Sequence, residues 1–152
     1  MDLKTRIQTE TKDAMKAKDS ARLSTLRLIS AAIKDREIAA RGCAEDGALS
    51  QADLLAILSK MVKQRQESAR AYSEGGRSEL AAKEQAEIEI IQQFLPRQMD
   101  EAEIAAAIDS VLADLGASSI RDMGRVMAEL KARHEGQMDF GAAGPQVKQR
   151  LM

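Results

Sequence analysis

The chain has 152 residues, with 23 Lys and Arg against 24 Asp and Glu and a single cysteine. Its net charge of −1 argues against a globally basic nucleic-acid-binding protein. One cysteine excludes an intramolecular disulfide, and no window approaches the roughly 18 apolar residues of a membrane helix.

Composition favours an all-α protein, because alanine, leucine, glutamate, lysine and arginine dominate and only two prolines occur. The first residues, MDLKTRIQTETKD, have no apolar run after their charges, so we expect no secretory signal. A lone thiol suits a reducing compartment, and we expect a cytoplasmic location. We interpret Cys43, in a polar loop, as incidental rather than nucleophilic.

Two helices are predicted first, over residues 2–18 and 21–40, with a break capped by Asp19 or Ser20. The apolar positions of the first helix are Leu3, Ile7, Ala14 and Ala17. The apolar residues of the second helix cover more than one stripe of its surface, so we expect several helices to pack against it. These apolar residues are Leu23, Leu26, Leu28, Ile29, Ala32 and Ile33. Arg22 and Arg27 border this cluster, where ion pairing or snorkelling and phosphate contact both stay open.

A long antiparallel hairpin is predicted after a polar loop at Arg41 to Leu49. Ser50 and Asp53 form a candidate capping box, and the chain reverses at Glu74-Gly75-Gly76. We expect Ser78 to cap the returning helix and Pro96 to end it. Apolar residues at spacings of three and four define the facing stripes: Leu54, Leu58, Met61, Val62, Ala69 and Tyr72, then Leu80, Ile88, Ile91, Phe94 and Leu95.

Charged residues interrupt both stripes of this hairpin. Arg65 lies on the first, and Glu84 and Glu87 lie on the second. Arg65 and Glu87 are equally distant from Gly76, so an antiparallel hairpin brings them level. A guanidinium on an apolar face needs a carboxylate partner to offset desolvation. We predict a structural ion pair with Glu87, or with Glu84 as the fallback, and a catalytic arginine–glutamate pair stays the alternative.

A second domain is predicted beyond a boundary at Pro96 to Asp100, giving an N-terminal helical bundle at 1–95 and a small three-helix domain at 99–152. Asp100 or Glu101 opens its first helix, Gly116 ends it, and Ser119 with Asp122 starts the next, with Ile120 buried. We expect Gly124 to allow close approach of another helix, with a ligand contact as the alternative, and Pro145 to lie in the first turn of the last helix.

The stretch KMVKQRQESARAYSEGGRSELAAKEQAEIEIIQQFLPRQM resembles the signature of the YqeY family. AMKAKDSARLSTLRLISAAIKDREI before it and RDMGRVMAELK after it extend the resemblance over nearly the whole chain. These are small bacterial proteins related to the C-terminal tail of GatB, the B subunit of the aspartyl/glutamyl-tRNA amidotransferase. The resemblance implies a non-catalytic accessory protein that binds tRNA or a tRNA-handling protein complex.

No catalytic constellation, metal site or cofactor motif is found in the sequence. His134 and Cys43 are far apart, and neither GxxxxGK[ST] nor GxGxxG occurs. Glutamine-dependent carbon–nitrogen ligation therefore stays an alternative only together with partner subunits. A protein–protein adaptor without RNA is the other alternative.

Candidate RNA contacts concentrate near the C-terminus, where residues 119–152 carry six Lys and Arg against four Asp and Glu. Tyr72, Phe94 and Phe140 are predicted to face the core, which leaves no stacking platform for unpaired bases, so contacts should be to shape and phosphates. We expect Arg121 and Arg125 to face RNA, with four cations nearby: Lys131, Arg133, Lys148 and Arg150.

Overall fold

The protein is described here by a computed structural model that covers residues 2–41 and 49–152. In these ranges every regular element is helical, which confirms the all-α prediction. The predicted loop around Cys43 lies largely outside the described residues. The elements are α1 (Leu3–Ala17), α2 (Ser20–Ala40), α3 (Gln51–Glu74), α4 (Ser78–Gln92), α5 (Glu101–Leu115), a 3-10 turn (Ile120–Asp122), α6 (Met123–Arg133) and α7 (Phe140–Leu151).

The helices form two compact units, Met1–Leu95 and Pro96–Met152. The first holds α1 to α4, and the second holds α5, the 3-10 turn, α6 and α7. Independent folding of residues 1–95 and 99–152 stays a prediction.

Helix α2 lies at the centre of the first unit, where it contacts α1, α3 and α4. Its Leu26 and Ile29 are fully buried against Leu58, Ile88 and Ile91 from the hairpin. These three neighbours explain why apolar residues cover more than one stripe of α2. Two residues that the sequence predicts to be buried, one in α2 and one in α1, are exposed. Leu28 is 43% exposed, because it lies on the side of α2 turned away from its neighbours, and Ala17 is exposed in the last turn of α1.

The hairpin begins with the predicted capping box, which is confirmed. Ser50 Oγ accepts from the Asp53 N–H at 3.1 Å, and Asp53 Oδ2 accepts from the Ser50 N–H at 3.0 Å. At the reversal Gly76 has φ +75°, a conformation that favours glycine. The predicted cap at Ser78 is wrong, because α4 already begins there and Arg77 occupies the N-cap position without a side-chain hydrogen bond.

Helix α4 ends at Gln92, four residues before the proline that was expected to end it. The N–H groups of Phe94 and Leu95 donate to Ile91 and Gln92, so the chain tightens into turns before Pro96. The proline therefore follows the helix end without causing it.

The outer half of the hairpin extends beyond the core. From Lys63 to Glu87 no residue is fully buried, so the predicted core position of Tyr72 is wrong, and this side chain is half-buried on the arm. At the border between this arm and the core, Arg65 Nε donates to Glu87 Oε2 at 2.9 Å, and Arg65 Nη1 donates to the Met61 carbonyl at 3.2 Å. The two charged side chains are 15% and 18% exposed. Glu84 is half-buried, and Glu87 takes the bond from Arg65 Nε.

Capping residues define the helices of the second unit as the sequence predicts. Asp100 and Glu103 form a capping box at α5, and Gly116 ends α5 at φ +61°. Ser119 and Asp122 form another at the 3-10 turn. The core between α5, α6 and α7 is fully apolar at its centre: Ile108, Val111, Val126, Leu130 and Val147.

Three assignments in this unit are wrong. Ile120 is 47% exposed, because it opens the 3-10 turn and is not on the buried stripe of α6. Apart from its neighbours in α6, no atom of the described residues lies within 4 Å of the position that a Cβ on Gly124 would take, so no other helix packs closely against this glycine. Pro145 lies beyond the first turn, inside α7, where its missing N–H would have met the carbonyl of Gly141, an exposed residue.

We expect Arg65→Ala to lower the free energy of unfolding by about 2–3 kcal/mol, because it leaves the mostly buried Glu87 carboxylate without its guanidinium. This is below the roughly 3–5 kcal/mol typical of a fully buried pair, since some water reaches both groups. Urea denaturation measures the change. Arg70→Ala, at an exposed position of the same helix, should stay within about 0.5 kcal/mol of the parent, and equal stability of the two variants would contradict the prediction.

A second prediction concerns acid stability. The Arg97 guanidinium, followed by the Asp100 backbone N–H, lowers the pKa of Glu103 from 4.5 to about 2. Because the folded state holds this carboxylate ionised, its stabilisation is complete above pH 4.5 and is lost as the pH falls through about 2.

Glu103→Gln should therefore flatten the fall in melting temperature between pH 4.5 and pH 2. Circular dichroism melts across that window measure it. Glu101→Gln removes the same charge from the same helix turn without removing the partner of Arg97, so it is the matched control. Parallel pH profiles for Glu103→Gln and the parent would refute the assignment.

Candidate functional site

Two arginines lie at the start of α6. Arg121 belongs to the 3-10 turn and Arg125 follows four residues later in α6, and both are exposed. The buried stripe of α6, with Val126 and Leu130, faces the core. The 3.6-residue period turns Arg125 away from that stripe, and Arg121 is exposed in the 3-10 turn that precedes α6.

Asp122 organises this corner. Its carboxylate accepts hydrogen bonds from the N–H groups of Ser118 and Ser119, at 3.1 and 3.3 Å, and from Arg125 Nη2 at 3.0 Å. The Ser118 bond, then the Ser119 bond and Arg125, lower the pKa of Asp122. Arg125 is thus partly neutralised, but its side chain is still 53% exposed.

Small residues lie between and beyond these cations. Gly124, Ala128 and Ala132 are all exposed and recur every four residues along α6. The space above Gly124 is open. An extended chain of phosphates can therefore approach the backbone of α6 without meeting a bulky side chain.

The other four candidate cations divide into two kinds. Arg133 donates to Asp114 and Glu129, both at 2.8 Å, and these bonds, the one to Glu129 first, raise its pKa. Arg150 donates to Asp109 at 2.8 Å. Lys131 and Lys148 are exposed. The structure thus engages two of the four in bonds that tie α6 and α7 to α5.

Another charged cluster lies in the first unit, and the sequence analysis missed most of it. Arg22 Nη1 donates to Gln93 Oε1 at 2.8 Å and also pairs with Glu10. Arg6 Nη2 donates to the Gln93 carbonyl at 2.9 Å and lies over the Phe94 ring. The i,i+4 spacing of Arg6 and Glu10 could have predicted their ion pair from the sequence. Gln93 is too distant in sequence to be identified as a hydrogen-bond partner of Arg6 and Arg22. Arg22 forms an ion pair, while Arg27 is exposed.

Over residues 2–41 and 49–152, no group of His, Cys, Asp and Glu side chains is arranged to hold a metal ion. None of the helices in these two ranges combines the length and the hydropathy of a membrane span.

Comparison with known proteins identifies relatives in yeasts. The chain is 36% identical over 115 residues to "Altered inheritance of mitochondria protein 41, mitochondrial" of Lachancea thermotolerans, covering 74% of this chain and 59% of that protein. It is 38% identical over 112 residues to the protein of the same name from Eremothecium gossypii, covering 72% and 58%. The Saccharomyces cerevisiae protein of that name is 32% identical over 103 residues, covering 68% and 51%.

The chain therefore spans less than two thirds of the length of these curated relatives. Their names place them in mitochondria, and for this chain a bacterial source and a cytoplasmic location stay predictions. A family model described as YqeY, Yqey-like protein, matches residues 4–151, nearly the whole chain. On this match the chain belongs to the YqeY family.

Proposed function

We propose that this protein is a non-catalytic accessory protein that binds tRNA, or a complex that handles tRNA, through the solvent side of α6. The observation that carries the proposal is the pairing of Arg121 and Arg125 beside the open backbone at Gly124. Exposed guanidiniums are suited to bidentate phosphate contacts, and the missing side chain at Gly124 leaves room for the nucleic-acid backbone.

The resemblance to the GatB tail supports the same proposal from the sequence side. It extends to RDMGRVMAELK, the segment that contains both arginines. The exposed Lys131 and Lys148 add positive charge to the same unit. Arg133 and Arg150 have a smaller part in this proposal than in the sequence-based expectation, because they are only 33% and 29% exposed in their ion pairs. Arg125 is also paired, with Asp122, but it stays 53% exposed.

The proposal predicts that tRNA binding weakens steeply with salt, since each neutralised phosphate releases condensed counterions. The slope of log K against log[salt] is near −0.9 per contact on a duplex, so replacing both arginines, Arg121→Gln with Arg125→Gln, should reduce it by about two units. At about 0.1 M salt the affinity should fall by roughly tenfold for each lost contact, alike for all tRNAs. Filter binding over a salt series measures both quantities.

The matched control is Arg70→Gln with Lys83→Gln, which removes two exposed charges of the same sign from the hairpin. It should keep the parent's slope, and circular dichroism should show all variants folded. If the α6 variant binds as tightly as the parent, the site is wrong. If the parent binds no tRNA at low salt, the RNA proposal fails and the adaptor alternative replaces it.

A further inference from the structure

The side of α2 opposite its buried stripe consists wholly of exposed residues. At 100° per residue, eight side chains lie within about 60° of Ala31, and we call this surface the α2 outer face: Ser20, Ser24, Arg27, Leu28, Ala31, Lys34, Asp35 and Ile38. The rest of α2 already contacts α1, α3 and α4. The core of the first unit therefore does not need this face.

Two large apolar side chains on the α2 outer face are about half exposed to solvent. Ile38 is 52% exposed and Leu28 is 43% exposed. Between them lies Ala31, whose small side chain permits a second helix to approach closely. Exposed apolar residues that share one helix face indicate a contact surface more than scattered ones do.

A hollow on the surface of α2 lies where a side chain of a facing helix could insert. Ser20, Leu23, Ser24 and Arg27, with Leu28 beside them, line it. The first four have the spacing of a hole in a coiled coil, into which one side chain of a facing helix inserts. The hollow is centred near Ser24, seven residues before Ala31, and Ile38 lies seven residues after Ala31.

An antiparallel partner helix crossing at Ala31 brings residues level that are equally distant from Ala31. If that partner is a second α2, Ile38 of each copy is level with the hollow of the other. Arg27 and Asp35 lie four residues before and after Ala31, so each arginine is level with an aspartate of the other copy and can reach it across the seam, whereas Lys34 is level with Leu28. The antiparallel arrangement centred on Ala31 therefore matches Ile38 with the hollow and Arg27 with Asp35 at the same time.

We propose that the α2 outer face binds a second copy of this chain, with the two α2 helices antiparallel and a two-fold axis at Ala31. Isologous contacts of this kind are the commonest way in which identical chains associate. A single helix pair buries less than the roughly 1,200–2,000 Å² of stable complexes. The dimer is therefore weak and its population depends on protein concentration.

Disulfide trapping tests the axis. A cysteine on a two-fold axis meets its own copy within the roughly 3.5–4.5 Å between Cβ atoms that a disulfide needs. In a Cys43→Ser background, Ala31→Cys should form a covalent dimer under mild oxidation. Ala39→Cys places a thiol at another exposed alanine of the same helix, away from the axis, and should stay monomeric. Equal cross-linking at both positions would indicate random collision and refute the proposed axis.

Sedimentation equilibrium on the full chain, from about 10 μM to about 1 mM, tests the contacts. Ile38→Arg should raise the dissociation constant at least tenfold, whereas Met15→Arg, at an exposed methionine of α1, should leave it unchanged. Arg27→Glu and Asp35→Arg should each weaken the dimer, and the combined charge swap should restore it. A chain that is monomeric throughout, or a swap without recovery, would overturn the proposal and leave this face to a different partner.

Discussion

The antiparallel pairing of α3 with α4 is the constraint on which the first unit depends. The base of this hairpin supplies Leu58, Ile88 and Ile91 to the core that α1 and α2 complete. Because the outer arm has no fully buried residue, the hydrophobic effect there is too small to fix the register of α3 against α4. Arg65 and Glu87 lie where the arm meets the core. A slip of one residue turns a helix by 100° and would separate them, so their pairing favours the register in which the core residues also meet.

Local chemistry in the sequence was sufficient to predict much of this fold. The capping boxes at Ser50 and Asp100 are complete within four residues, so neighbouring sequence determines them. The incorrect predictions concern residues whose burial depends on how other helices pack around them. Leu28 is as apolar as the buried Leu26, and only the arrangement of α1, α3 and α4 decides which of them faces solvent. Pro145 shows the same limit, because tertiary packing of α7 outweighs the hydrogen bond that the proline removes.

The candidate site shows how little a count of charges reveals. Residues 119–152 carry a formal excess of cations, but Arg133 and Arg150 are engaged by Asp114 and Asp109. Those partners are 19 and 41 residues away, so no local pattern identifies them. The exposure of Arg121 and Arg125 could be predicted from helical periodicity, since both fall opposite the apolar stripe. The open space above Gly124 could not be predicted, because a glycine in a helix is equally compatible with close packing.

These ion pairs also make the charge distribution of the second unit uneven. Helix α5 carries four carboxylates and no Lys or Arg, and two of those carboxylates hold Arg133 and Arg150. The cations nearest α5 are thus neutralised, while Arg121 and Arg125 lie on the side of α6 turned from the core. A polyanion that approaches from the α5 side meets repulsion, and one that approaches the outer side of α6 meets attraction. On the proposed function, the carboxylates of α5 therefore do not oppose RNA binding, because they direct it to the opposite face, on the outer side of α6.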